Sequence, residues 1–199
     1  YGDVAMPSAS SERDAETHII DPQGLGEMVA RVRDTVALIL DDGNLPLVIG
    51  GDCPLLLGCL AAADRRDRLG LLFVDGHEDA YLPEQSSTGE AADMELAVAL
   101  GIADASLSSE LTHLLPLVEP ADVRILGARD ADILRAEAVP SLGDSIELAD
   151  GIRRAADPED VEDGGDCTAA FVRQRERLAG TLATLGEGEW ATPSRCERW

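Results

Sequence analysis

Leu69-Gly70-Leu71-Leu72-Phe73-Val74 runs directly into Asp75-Gly76-His77-Glu78-Asp79. A short, uniformly apolar run that stops at a polar cluster is the pattern of a buried parallel strand with its carboxyl end open to solvent. The pattern occurs once before, where Leu45-Pro46-Leu47-Val48-Ile49 ends in Gly50-Gly51-Asp52-Cys53-Pro54. It occurs once after, at Asp122–Leu126. Helical signals fill the gaps. From Gly24 to Leu40 the apolar positions Leu25, Met28, Val29, Val32, Val36, Ile39 and Leu40 recur at helical spacing. Further helices are predicted over Pro54–Ala63, around Ala92–Leu100 and over Arg129–Ala138. Strands alternating with helices predict an α/β fold with a parallel sheet covered on both faces. In such a fold the working residues collect at the carboxyl ends of the strands.

The chain has 199 residues, enough for one domain, and carries 39 acids against 16 basic residues, all arginine, for a net charge of −23. At 45% hydrophobic residues it is too apolar for a disordered chain of similar charge. The acid excess excludes nucleic-acid backbones and anionic membrane surfaces as partners. A lysine-free acidic surface suits a high-salt cytoplasm, and a high-GC genome that replaces Lys by Arg gives the same composition. Aromatics are only 3%, so the core must be built from Leu, Val, Ile and Ala. Cys53, Cys59, Cys167 and Cys196 form no CxxC pair, and no apolar run approaches the roughly 18 residues of a membrane span. The cysteines read as reduced thiols of a soluble cytoplasmic protein. The chain starts at Tyr1, which is expected of a fragment whose own beginning lies upstream.

Two strand ends carry the chemistry. If the extended backbone persists beyond Val74, Asp75, His77 and Asp79 point to one side. Two carboxylates and an imidazole make a nitrogen and oxygen donor set suited to Mn, Zn or Fe(II). A solvated acidic loop is the plain alternative. Glu78 and Asp93 read as surface acids or as acids lying behind the donors. Cys53 stands where a helix begins. It is either a thiol whose pKa the helix N-terminus lowers or a small thiol tucked beneath a tight turn. Cys59 reads as packing, and His18 and His113 are isolated.

Gly50-Gly51-Asp52-Cys53, Phe73–Asp79 and Ser87-Thr88-Gly89-Glu90-Ala91-Ala92-Asp93-Met94, in that order, resemble the arginase/agmatinase (ureohydrolase) family. That family carries Gly-Gly-Asp-His, then Asp-Ala-His-x-Asp, then Ser-Gly-Asn-x-His-Gly-Met. The resemblance covers roughly Leu45 to Leu126, with weaker support to about Asp150. It implies a three-layer α/β/α fold and a metal-dependent hydrolase of C–N bonds in guanidino or amidino compounds. Such an enzyme uses two manganese ions that activate a bridging hydroxide. By the same resemblance Asp75 bridges both metals, Asp79 binds the first and His77 the second, and these three are the expected catalytic residues. Cys53 takes the place of a further ligand histidine, and its softer thiolate favours zinc or iron.

Thr88, Gly89 and Glu90 fall on the family's substrate-binding loop. Glu90 replaces an Asn that binds the α-carboxylate of arginine, so arginine specificity is not expected. Ala92 replaces a proton-shuttling histidine, and Tyr81 replaces an Asn. The family's later Asp-x-Asp motif has no counterpart on a strand after Ala128. Asp157–Asp160 and Asp163–Asp166 read as solvated linker, which leaves a one-ion site as the alternative to two. Three functions follow: a C–N hydrolase with altered specificity, possible as a homo-oligomer; a truncated, catalytically inactive member binding at most one metal; and a nucleophilic or redox thiol at Cys53. Residues 1–166 hold 35 acids and 11 arginines, −24, whereas 167–199 hold 4 acids and 5 arginines, +1. This predicts an arginase-like domain over 1–166, incomplete at both ends, followed by an atypical, frameshifted or non-native tail; a genuine helix over Phe171–Leu185 is the alternative.

Overall fold

Asp21 and Pro22 start the first helix. The Asp21 carboxylate accepts the backbone N–H of Gly24 at 3.0 Å, and Pro22 supplies a first-turn residue that needs no hydrogen-bond acceptor. In this computed structural model, which describes residues 1–63, 69–103 and 109–142, the helix α1 spans Pro22–Asp41. It ends where Gly43 turns left-handed at φ +73° and Asn44 N–H returns to the Ile39 carbonyl. Leu25, Val29, Val32, Val36 and Ile39 form its buried stripe, as the periodicity predicts. That stripe packs on α2, Leu55–Ala63, through Gly58, whose missing side chain lets the two backbones approach closely.

The sheet is built from β1, Leu71–Val74, and β2, Val123–Leu126, paired in parallel with Leu71 opposite Val123 and Phe73 opposite Ile125. Between them lie a short 3₁₀ turn at Ala91–Asp93, α3 at Glu95–Ala99 and α4 at Ser109–Thr112. After β2 comes α5 at Ala131–Ala136. The core is aliphatic, as the composition requires: Ile19, Val29, Leu57, Leu96, Val123 and Leu134 are buried, joined by Phe73 and Met94.

Two expectations are corrected. Leu45–Ile49 is not a buried strand: it forms no ladder, and Leu45, Leu47 and Ile49 are 61, 61 and 88% exposed. Apolar composition makes a strand only where a neighbour accepts its ladder, Pro46 removes one donor, and β1 is paired only with β2 among the described residues. Among the described residues, β1 is also covered on one face only. Phe73 enters the core, while Leu72 and Val74 on the other face remain exposed. The stretches Asp157–Asp160 and Asp163–Asp166, the helix over Phe171–Leu185 and the boundary at 166 lie outside the described residues. Among the described residues, no helix is long and apolar enough to cross a membrane.

Candidate metal centre

The carboxyl ends of β1 and β2 are knitted side by side. Asp75 N–H continues the ladder to the Leu126 carbonyl at 3.1 Å, and Arg129 N–H reaches the Gly76 carbonyl at 2.9 Å. Gly127 makes this crossing feasible: its φ is +100°, and a Cβ there would lie 2.9 Å from the Asp75 carbonyl oxygen. Asp130, just before α5, accepts Glu78 N–H at 3.0 Å. The polar cluster after β1 is thus fixed from below by β2 and its following turn.

Asp75 and His77 lie side by side. The Asp75 Oδ1 accepts His77 N–H at 3.0 Å and lies 3.6 Å from His77 Nδ1, with both side chains partly open to solvent. The extended geometry that was to align Asp79 with them does not persist. Asp79 adopts a left-handed backbone, φ +46°, which turns its carboxylate inward until only 7% of the residue is exposed. There it faces Glu95 at the start of α3, which is wholly buried. Burial raises the pKa of Asp79, a hydrogen bond shared with Glu95 opposes the rise, and the Asp75 charge adds to it. Burial and then the Asp79 charge raise that of Glu95 further. Glu78 is no surface acid either. It is fully buried, held by the Ser141 hydroxyl at 2.7 and 2.9 Å and by Leu142 N–H at 2.6 Å.

The raised carboxyls set a pH dependence. A group whose folded pKa exceeds its unfolded one contributes stability that is complete below the unfolded value, about 4 for a carboxyl, and is lost as pH rises through the folded value. Metal-free protein is therefore expected to melt at a higher temperature at pH 5 than at pH 7.5, and Glu95→Gln should narrow that difference. Melts of chelator-treated protein at the two pH values check this, and an unchanged difference in the variant would refute it.

Cys53 joins the cluster, but not as an activated thiol. Partial withdrawal from water and then the charges of Glu95, Asp79, Asp75 and Asp52 push its pKa up to about 12. Four carboxylates outweigh the favourable end of one short helix. Cys53 should therefore react with iodoacetamide at pH 8 at least ~10-fold more slowly than the same thiol in the urea-unfolded chain. Peptide mapping of the alkylated site reads this out, and equal rates would show the thiol to be unperturbed. Cys59 is packed against the α1 stripe, as expected.

Thr88, Gly89 and Glu90, expected to form the substrate loop, are held separately. Arg13 donates from Nε to the His18 carbonyl and from Nη2 to the carbonyls of Pro83 and Ser86, at 2.7, 3.0 and 2.8 Å. Ile20 N–H reaches the Gly89 carbonyl, and Gly89 itself needs its left-handed φ of +76° beneath Arg13. Asp93 accepts both the Ser86 and Thr88 hydroxyls, and the Thr88 hydroxyl oxygen in turn accepts Glu90 N–H. Asp93 is therefore the anchor of this loop and not a bystander. Glu90 is exposed and borders a cleft of about 790 Å³ formed with the N-terminal segment, α1 and 45–52. That cleft takes in Gly50, Gly51 and Asp52 but not Cys53, Asp75, His77 or Asp79, so it adjoins the acidic cluster without containing it. Tyr81 donates its hydroxyl to Glu137, and Ala92 lies on the 3₁₀ turn with no group able to carry a proton.

Glu95 and Asp130 lie beside this cluster and no motif marks them. The available signal was an acid heading the apolar stretch Glu95-Leu96-Ala97-Val98-Ala99-Leu100. Among the described residues, no three His, Cys, Asp or Glu side chains gather closely enough to hold a metal ion. The donor chemistry nevertheless fits a divalent cation on one observation. Asp79 Oδ2, both Glu95 carboxylate oxygens and Asp130 Oδ1 are buried acceptors with no hydrogen-bond partner.

A parallel α/β fold with a histidine and several carboxylates at the carboxyl end of its strands defines the class of α/β proteins with an acidic strand-end cluster. A sequence profile of the Arginase family matches residues 1–168, and the chain belongs to that family. It is 33% identical over 132 residues to an arginase of Bacillus subtilis, covering 66% of this chain and 44% of that one. The structure of the arginase from Bacillus cereus superposes with a TM-score of 0.54 at 29% identity, over 65% of this chain and 47% of that one. The arginase from Bacillus caldovelox superposes with a TM-score of 0.60 over 77% and 52%, at 24% identity, a likeness of fold. The fold is thus the arginase-like α/β fold expected from the motifs. The chain spans about half the length of the relatives it matches.

Proposed function

We propose that this chain carries the metal-binding half-site of a hydrolase that cleaves C–N bonds in guanidino or amidino compounds, with a preference for substrates lacking an α-carboxylate. The observation that supports this most is the set of buried carboxylate oxygens without donors beside the Asp75-Gly76-His77-Glu78-Asp79 segment. By family resemblance Asp75, His77, Asp79 and Cys53 would hold the ions after drawing closer together around them, manganese by family and zinc or iron by the softness of Cys53. Bound metal supplies Lewis acidity and a water ionised near neutral pH. Asp75 would help orient the His77 ring toward a bound ion, since its Oδ1 holds the His77 backbone N–H and lies 3.6 Å from the ring Nδ1.

Specificity follows from the loop. Thr88 and Gly89, anchored through Asp93 and Arg13, hold Glu90 at the cleft, where its charge repels a carboxylate and attracts a lone guanidinium. Arginase is the name of the relatives, and arginine is the substrate that this carboxylate disfavours. Urea release should be tested over agmatine, arginine and guanidinobutyrate with Mn²⁺ present. Greater turnover of agmatine than of the two carboxylates is expected, and a preference for arginine would overturn the specificity reading. A second reading, a catalytically silent protein that binds one metal, is favoured by Ala92, which offers no proton carrier. Metal retention without urea release above a metal-only blank would select it.

A further inference from the structure

A buried carboxylate in this protein has two contrasting fates. Glu78 is wholly buried and fully served, with the Ser141 hydroxyl and Leu142 N–H directed at its two oxygens. Glu95 is equally buried, and among the described residues its oxygens meet no donor beyond a hydrogen bond shared with the Asp79 carboxyl. The difference is not one of chain crowding, because the same fold found donors for Glu78 from residues more than 60 positions away. Leaving a buried carboxylate without a donor is among the most costly arrangements a fold can adopt.

What Glu95 faces makes the cost greater. Asp79 Oδ2 is also buried and without a donor, and the Asp79 charge is the strongest one acting on Glu95. The pairing is not an accident of loose loops. Ala97 N–H of α3 bonds the Asp79 carbonyl at 3.2 Å, and the left-handed backbone at Asp79 turns its side chain toward α3. Two acids have therefore been brought face to face by a hydrogen bond and an unusual backbone conformation. Lysine is absent from the chain, so no ammonium can lie between them. A divalent cation answers both the charge and the missing partners at once.

We propose that Glu95 is a cation-facing ligand that pairs with Asp79 and sets the metal preference of the centre. The proposal rests on the metal-dependent reading above and extends it to a residue outside the motifs that carry that reading. Its chemical consequence is specific. Cys53 alone would draw the site toward soft metals, while a second and third carboxylate draw it back toward manganese. Glu95 is thus the counterweight to the thiol, and its removal should cost Mn²⁺ more affinity than Zn²⁺.

Calorimetric titration of the metal-free full chain with Mn²⁺ and with Zn²⁺ tests this, in the unmodified protein, in Glu95→Gln and in Glu95→Asp. The expected result for Glu95→Gln is a Mn²⁺ Kd at least ~10-fold higher, a smaller change for Zn²⁺, and a metal-free Tm raised by about 2–4 °C because the cost of holding a buried carboxyl protonated is gone. Should Glu95→Gln fail to fold, Glu95→Asp keeps the charge but withdraws it by one methylene, and its Mn²⁺ Kd should also rise. Mn²⁺ affinity within twofold of the unmodified chain in a folded variant would overturn the role of Glu95 while leaving the metal centre standing. An unmodified chain that binds neither metal would overturn the metal-dependent reading itself, and Glu95 with it.

Discussion

Replacing Asp75 and His77 together by alanine is expected to strip the chain of retained divalent metal. The two residues contribute the carboxylate and imidazole that lie open at the end of β1, with Asp75 Oδ1 accepting the His77 backbone N–H and facing its ring. Losing a single residue that merely orients a ligand weakens metal binding about 10–100-fold, so losing two proposed ligands should weaken it at least ~10³-fold. The fold should survive. Neither side chain is part of the core, and the crossing between the strand ends is made by the backbones of Asp75, Gly76, Leu126 and Arg129. Metal analysis after gel filtration, with the melting temperature as a control, checks this. A variant that retains as much metal as the unmodified chain would remove the two residues from the centre.

The second large effect concerns α1 and α2. Alanine for glycine inside a helix ordinarily stabilises by roughly 0.5–1 kcal/mol. At Gly58 the sign should reverse. A Cβ there would lie 2.6 and 2.7 Å from Val32 Cβ and Cγ1 and 2.9 Å from the Val29 carbonyl oxygen. A β-branched side chain in a helix has one favoured rotamer, and a helical carbonyl does not move alone, so α1 and α2 must separate. Overpacking of this kind costs about 1–3 kcal/mol, and a net loss of about 2 kcal/mol lowers Tm by roughly 4–8 °C in a chain of this size. Gly51→Ala is the control. A Cβ at Gly51 meets nothing within 4 Å, and its effect should stay within about 0.5 kcal/mol. An unchanged or raised Tm in Gly58→Ala would show that the helices are not in close contact there.

The parts of this fold that follow local rules are legible in the amino-acid order. The stripe of α1 follows from spacing, its start from Asp21-Pro22 and its end from Gly43, all short-range physics. The strands β1 and β2 follow from apolar runs bounded by polar residues, and the order of the three motifs is enough to point to the arginase family. What is not legible depends on distant partners. Leu45–Ile49 has strand composition but no ladder to join, and composition cannot reveal that. Glu78 reads as a surface acid until Ser141 and Leu142 are brought to it across more than 60 residues. Asp79 reads as the third member of an alternating set, until a single left-handed residue redirects it inward. Glu95 offers no motif at all, and only its burial without a donor marks it. The helix at Cys53 suggests a lowered thiol pKa, and partial withdrawal from water, then four nearby carboxyls, reverse the sign.

The acids at the carboxyl end of β1 are proposed to hold a divalent cation. The most direct test is the metal content of the purified full chain, measured by mass spectrometry after expression with manganese, zinc and iron supplied and after exhaustive desalting. Retention of about one to two ions per chain, released by chelation and absent from the Asp75→Ala/His77→Ala variant, is the predicted result. A correctly folded chain that retains no metal under these conditions would contradict the account.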